Sequence, residues 1–276
     1  MKKVLLAMAA VPLLAFGGGN EVAVGYERVD FDHSVKKDRG WRASVFGRVG
    51  LEKDRFEALF EKSRIDTFQP PAPKDLQVAK IGLRYLHAFG KNGEAAVSFA
   101  TIDDNLMKET DGGRIYGLAY RRGALRVAQY LSDYRRFKVW QTEAEYQTFA
   151  KTDDLKVGAS VVMKYIHLSD RKSNPFSANA RGDYLTPGFF GSFHTRGWHL
   201  KAGAFFGRRI FAVMQGGMKV QHHAMEFYRT WMVGIAKDLG PYGLSARYTC
   251  QKADEIPVRN DGVSVRSFTL AWSRRF

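Results

Sequence analysis

Odd and even positions belong to different populations along most of this chain. From 41 to 52, Trp41, Ala43, Val45, Gly47, Val49 and Leu51 alternate with Arg42, Ser44, Phe46, Arg48, Gly50 and Glu52. That two-residue period is the pattern of a strand whose faces meet different surroundings. It returns at 155–165, where Leu155, Val157, Ala159, Val161, Met163 and Tyr165 oppose Lys156, Gly158, Ser160, Val162 and Lys164. Taken end to end, the pattern predicts strands at 22–31, 41–52, 55–65, 76–89, 94–102, around 116–120, and at 124–132, 136–149 and 155–165. Further strands are predicted at 198–206, 210–221, 226–238, around 244–251, and at 265–276. The total is about fourteen, with roughly twelve to sixteen possible.

Turn residues then sort the connections by side. Short ones fall at Lys53-Asp54, Gly90-Lys91-Asn92-Gly93, Arg122-Gly123, Thr152-Asp153-Asp154, Gly207-Arg208-Arg209 and Gly240-Pro241. Between them lie longer polar segments at 32–40, 66–75, 103–113, 168–195 and 253–262. Pro70, Pro71 and Pro73 keep the second of these out of any interior ladder. The rhythm breaks at the seventh-to-eighth and eleventh-to-twelfth connections, which are short where long ones are expected. The longest segment, 168–195, carries Phe176, Leu185, Phe189, Phe190 and Phe193. It is more apolar than an exposed loop needs, and reads either as a loop folded into a pore or as an extra hairpin above the sheet.

The last predicted strand gives the alternation its meaning. Phe268, Leu270 and Trp272 share one face, Ser267, Thr269, Ala271 and Ser273 the other, and the sequence closes on Phe276. A sheet apolar outside and wet within, sealed by its final strand against its first, leaves no edge to cover. With Phe268, Leu270, Trp272 and Phe276, the ending resembles the targeting signal of bacterial outer-membrane β-barrel proteins, which the barrel-assembly machinery reads. Arg274 departs from that signal, which usually has an apolar residue there. The resemblance implies an all-β fold, a transmembrane antiparallel up-and-down barrel of porin-like type in the cell outer membrane, with no motif that names a particular family. An even strand number agrees with it, as does a girdle of Trp41, Tyr85, Tyr116, Tyr120, Tyr165, Trp198 and Tyr248 toward strand ends on the apolar face.

At the other end, Lys2 and Lys3 precede the apolar run 4–16, and Gly17, Gly18 and Gly19 follow. This reads as a secretory signal over 1–19, leaving 20–276 as a single barrel domain. The run is shorter than the roughly 20 residues a spanning helix needs. Mean hydropathy is only −0.32, which is what strands with one lipid face average to. One cysteine, Cys250, excludes an internal disulfide framework.

A net charge of +15 would suggest nucleic acid in a cytosolic protein. In an exported barrel it has other uses, and no nucleic-acid partner is expected. The inward phase collects Arg42, Arg48, Lys80, Arg84, Arg126, Lys156, Lys164, Lys201 and Arg247 as candidate pore-lining residues. A constriction lined by such residues favours small anionic solutes. The competing expectation is that these charges pair across strands and merely keep the interior wet. Arg135, Arg136, Lys138, Arg171 and Lys172 are candidate rim contacts for lipopolysaccharide phosphate within the outer-membrane lipid.

Enzymatic signals are sparse, and the expectation is a non-enzyme. His167-Leu168-Ser169 resembles the His-x-Ser element of outer-membrane lipid hydrolases, with Ser169 as nucleophile and His167 as base. The Asn-Gly-Arg that follows in that group is replaced by Asp170-Arg171-Lys172. No metal-ligand or cofactor motif of defined spacing is present, so neither a metal nor a cofactor is expected. The sequence therefore points first to a passive channel, second to a non-conducting structural or surface-interaction barrel, and third to a lipid hydrolase.

Overall fold

The computed structural model describes residues 19–68, 75–90, 92–105, 110–169, 179–221, 225–256 and 258–276. The expected secretory signal lies outside them except for Gly19, as do Phe176, Arg171 and Lys172. The strands are β1 (Glu21–Asp32), β2 (Lys37–Leu51), β3 (Asp54–Thr67), β4 (Leu76–Phe89), β5 (Gly93–Asp104) and β6 (Arg114–Arg122). They continue with β7 (Leu125–Asp133), β8 (Lys138–Lys151), β9 (Leu155–Ser169), β10 (Asp183–Thr195) and β11 (Trp198–Arg209). After two short pieces, β12 (Val213–Met214) and β13 (Lys219–Val220), come β14 (Met225–Leu239), β15 (Tyr242–Glu255) and β16 (Asn260–Arg275).

Fourteen of these form a closed antiparallel barrel in which each strand pairs with its neighbours in sequence, β11 pairs with β14, and β16 returns to β1. The closing seam is continuous from Glu21 opposite Arg275 to Asp32 opposite Ser264. At one end it is tied by the Phe276 amide donating to the Asn20 carbonyl at 3.1 Å. At the other, Glu255 accepts from Ser34 at 2.7 Å, from the Val35 amide at 3.1 Å and from Asn260 at 2.9 Å. Connections at the end carrying both chain termini are tight turns, and those at the far end are longer. In bacterial barrels the tight-turn end faces the periplasm.

Side chains alternate as the sequence pattern requires. Outward positions leave large apolar groups uncovered around the circumference, among them Val24, Phe56, Leu83, Val97, Tyr146, Val161, Trp231 and Leu270. The girdle residues Tyr116, Tyr120, Tyr165, Trp198 and Tyr248 are on this face and exposed. So are Phe268, Trp272 and Phe276.

Two expectations fail, and they fail together. The segment 183–195, read as part of a long loop, is barrel strand β10, whereas 210–221, read as the eleventh strand, leaves the wall altogether. The errors cancel in the count. β10 escaped notice because Pro187 and Gly188 read as a turn and because Phe189 and Phe190 place aromatics on both faces. Pairing between β10 and β11 reaches only to Gly188, so Pro187 is paired with β9 alone, in an edge-like position that tolerates proline. The gap exists because β11 turns inward at Gly207 (φ +83°), and the chain reaches the lumen through Phe211 (φ +52°).

If the outward face meets hydrocarbon, a cation at its midline is costly. Leu118 is central on β6 and 65 % exposed. Leu118→Arg is expected to lower unfolding stability in lipid vesicles by about 2–4 kcal/mol. An effect indistinguishable from that of Leu118→Ala would mean that this face is in water.

Candidate functional site

The lumen divides into three levels. The outer level is packed. Ile210, Phe211, Ala212, Val213, Met218 and Val220, from the segment that left the wall, are all buried among inward apolar residues such as Val29, Ile65, Val78, Ile102, Ile115, Ile166, Phe227 and Val265. Tyr134 and Phe137, from the connection between β7 and β8, cover Phe211, with ring centroids 5.7 and 5.1 Å from it. This inward packing is why that connection is short.

β12 and β13 pair as a small hairpin across a turn at Gln215–Gly217. It spans the lumen and is tied to opposite walls. On one side, the Val213 amide donates to Gln141 Oε1 at 2.8 Å, and the Val213 carbonyl accepts from Gln141 Nε2 at 3.1 Å and from Lys164 Nζ at 3.2 Å. On the other, Lys219 Nζ pairs with Glu61 at 2.5 Å. The approach to β4 requires glycine. A Cβ at Gly82 would fall 2.7 Å from Met218 Cα.

The middle level is a belt of ion pairs. Arg42 bridges Glu27 and Glu61, and Lys80 reaches Glu61 at 3.0 Å. Arg84 pairs with Glu57 at 3.3 Å. Glu143 takes Arg126 at 2.5 Å and also Lys164, while Arg126 donates to the Tyr130 hydroxyl at 2.8 Å. These groups are deeply enclosed, Lys80 being 3 % and Glu61 1 % exposed. Pairing is the condition for keeping such charges ionised away from bulk water.

The inner level is a vestibule open toward the tight-turn end. The cavity has a volume of about 940 Å³, and Gln215, Gly216, Met218 and Lys219 form its roof. Arg121, Lys201 and Arg247 line it together with Glu145 and with Glu27, Glu57, Glu61 and Glu143 of the belt, and Lys156 follows on the same face of β9 as Gly158 and Ser160, nearer the tight turn. Among the described residues Arg121, Lys156, Lys201 and Arg247 make no ion pair with a carboxylate. Arg121 donates to Gln147 at 3.4 Å, Arg247 donates to Thr269 at 3.4 Å, and Lys156 and Lys201 lie over the rings of Phe149 and Phe190 at 4.1 and 5.5 Å.

The nine cations grouped by inward phase thus fall into two sets. Arg42, Lys80, Arg84, Arg126 and Lys164 belong to the paired belt. Arg48 is likewise paired, with Glu21 at 2.5 Å. Lys156, Lys201 and Arg247 belong to the unpaired vestibule. Arg121 was missed, although it continues the inward phase of β6.

No protein-family model and no curated protein matches the sequence. Solved structures do match in shape. A bacterial polysaccharide outer-membrane secretin aligns over 93 % of this chain and 98 % of its own, with TM-score 0.59 and 11 % identity. The toluene transporter TbuX of Ralstonia pickettii aligns over 95 % and 90 %, with TM-score 0.54 and 9 % identity. Omp33, an outer-membrane protein of Acinetobacter baumannii, aligns over 93 % and 98 %, with TM-score 0.51 and 9 % identity. At such identities the likeness is one of fold. That fold, with an apolar outer face all round, decides the class. The chain has the fold of a bacterial outer-membrane β-barrel.

In this barrel the His-x-Ser element has a partner that the sequence did not disclose. His167 Nδ1 lies 2.8 Å from Asp183 on β10, directly opposite it in register. The Ser169 hydroxyl, however, donates to the Lys138 carbonyl at 3.4 Å. Tyr165 also donates to Asp183, at 2.5 Å. The same Tyr-Asp-His arrangement recurs at the opposite rim, where Tyr85 and His87 meet Asp54 at 2.6 and 2.8 Å and the residue two beyond the histidine is Phe89. Its presence at both rims favours a clamp at the membrane interfaces over a nucleophilic triad.

A second group also escaped the sequence reading. His194, His199 and Asp238 come together on the lumen side at the tight-turn mouth. With 168–195 taken for a loop, His194 had no strand partner. Once β10 and β11 form a hairpin, His194 stands directly opposite His199.

Gly82 offers a test of the hairpin's seating. Ala212→Cys in a Cys250→Ala background should react slowly with a water-soluble maleimide. Adding Gly82→Leu overpacks the seat, at a typical cost of about 1–3 kcal/mol. Labelling should then quicken by about 5- to 160-fold. Unchanged labelling would show that the hairpin does not rest on β4.

Proposed function

We propose that this outer-membrane barrel is a channel for small anionic solutes, held closed at rest by the β12–β13 hairpin. The observation that carries this reading is the set of cations without carboxylate partners around a vestibule of about 940 Å³. Unpaired Arg and Lys in a water-filled constriction attract anions and repel cations. Displacing the hairpin would join vestibule and outer face, and its polar ties are few enough to be broken by a bound solute or by membrane tension. Contact of the rim residues Arg135, Arg136 and Lys138 with lipopolysaccharide, and recognition of Phe268, Leu270, Trp272 and Phe276 by the barrel-assembly machinery, belong to the same reading.

A second reading has its own support. The apolar residues of the hairpin, Val213, Met218 and Val220, are buried against the wall, as in a barrel that never conducts and serves only as scaffold or surface.

Planar-bilayer recording separates the two. The intact barrel should give brief openings, and a variant with 211–220 replaced by a short Gly-Ser linker should give a steady pore that prefers chloride to potassium. Lys201→Glu with Arg247→Glu in that variant should reverse the preference. An intact barrel that stays silent while the shortened one conducts would favour the scaffold. A shortened barrel that conducts with cation preference would overturn the anion reading.

A further inference from the structure

We propose that His194, His199 and Asp238 form a binding site for a divalent transition metal at the tight-turn mouth of the lumen. Three observations support it. First, the residue types suit such an ion, because imidazole and carboxylate together are the common ligand set for zinc and its neighbours, whereas a hard cation such as calcium would be met by oxygens. Second, the positions are fixed by the wall rather than by loops. His194 is the last residue but one of β10 and His199 the second of β11, and they are opposite one another across the turn at Arg196 and Gly197, while Asp238 is on β14, the next strand round.

Third, the side chains already converge. The rings of His194 and His199 are stacked with centroids 3.9 Å apart, His199 Nε2 is 2.7 Å from Asp238 Oδ2, and one ligand atom from each of the three lies within 4.8 Å of the others. Ligand atoms around a tetrahedral zinc are separated by roughly 3.3 Å, given bonds of about 2.0–2.1 Å. Closing the set requires rotating part-exposed side chains, with no shift of strand. The metal would take the place of the proton now shared between His199 and Asp238.

The surroundings define the site further. Arg275 donates to the other oxygen of Asp238 at 2.8 Å. This leaves Oδ2 for the metal and fixes the carboxylate's orientation, the role that outer hydrogen bonds play at known metal centres. Three protein ligands leave at least one coordination position open. Lys201, two residues along β11 on the same face, is a cation that opposes a bare metal ion. The open position is therefore suited to an anionic oxygen, from phosphate or a carboxylate, which would satisfy metal and lysine together.

The test uses the whole barrel folded in detergent, with cobalt as the probe. Cobalt(II) should bind with a stoichiometry of one per chain and produce the visible absorption of a tetrahedral site, and zinc should displace it. Loss of an outer partner alone costs about 10- to 100-fold in affinity, so His199→Ala and His194→Ala should each cost at least that. Arg275→Gln should weaken binding less and leave the absorption shape intact. The difference in gel migration between heated and unheated samples serves as the check that each variant is folded. If a histidine variant does not fold, the wild-type spectrum remains decisive. No cobalt uptake at millimolar metal, or uptake unaffected in folded His194→Ala and His199→Ala barrels, would overturn the proposal. Binding is read without any conductance, so its failure is separate from failure of the channel reading.

Discussion

A backbone immersed in hydrocarbon has no water to bond to, so each of its amide and carbonyl groups must find another strand. In this protein that requirement is met by a sheet with no ends. The seam between β1 and β16 runs unbroken from Glu21 to Asp32, and Glu255 with its three donors fastens it at the long-loop end. Closure also fixes the phase of every residue. Once the wall is sealed, each side chain faces either lipid or lumen, and the alternation along the sequence follows.

Closure brings a second problem, because a barrel of this many strands is wider than its own side chains can fill. The protein solves it differently at different depths. Near the long-loop end it folds part of its own chain inward, and the lumen wall there becomes apolar to match. At mid-depth it uses charge, with Glu61 and Glu143 each holding more than one cation. Toward the tight turns it leaves space, and there Arg121, Lys156, Lys201 and Arg247 make no ion pair with a carboxylate, although Arg48 keeps Glu21 and Arg275 keeps Asp238. The gradient from apolar to paired to unpaired gives the lumen a direction.

Much of this was legible in the sequence wherever one strand face met lipid and the other met water. The bounds of β4 agree with the sequence reading to the residue, because Ile81, Leu83 and Tyr85 oppose Lys80, Gly82 and Arg84 without exception. Legibility failed where that contrast was absent. Phe190 faces inward in β10 and packs on Phe205 at 5.1 Å, so both faces of that strand are aromatic. In the segment that leaves the wall, Ile210, Phe211, Ala212 and Val213 are all buried, and a consecutive apolar run of that kind is what a buried strand also looks like. Val29, Phe31 and Val78 share the inward phase of Glu27 and Lys80, but nothing local indicated that another part of the chain would cover them. The cluster of His194, His199 and Asp238 depended on pairing that the misread strand concealed.

The central claim is that 183–195 is wall and 210–221 is filling, and accessibility to lipid tests it most directly. Nitroxide labels placed singly through both segments, in a cysteine-free barrel reconstituted in bilayers, can be read by their collisions with dissolved oxygen, which concentrates in hydrocarbon. The account predicts collision rates that alternate with a two-residue period through 183–195 and stay low throughout 210–221. Alternation in 210–221, with none in 183–195, would contradict it.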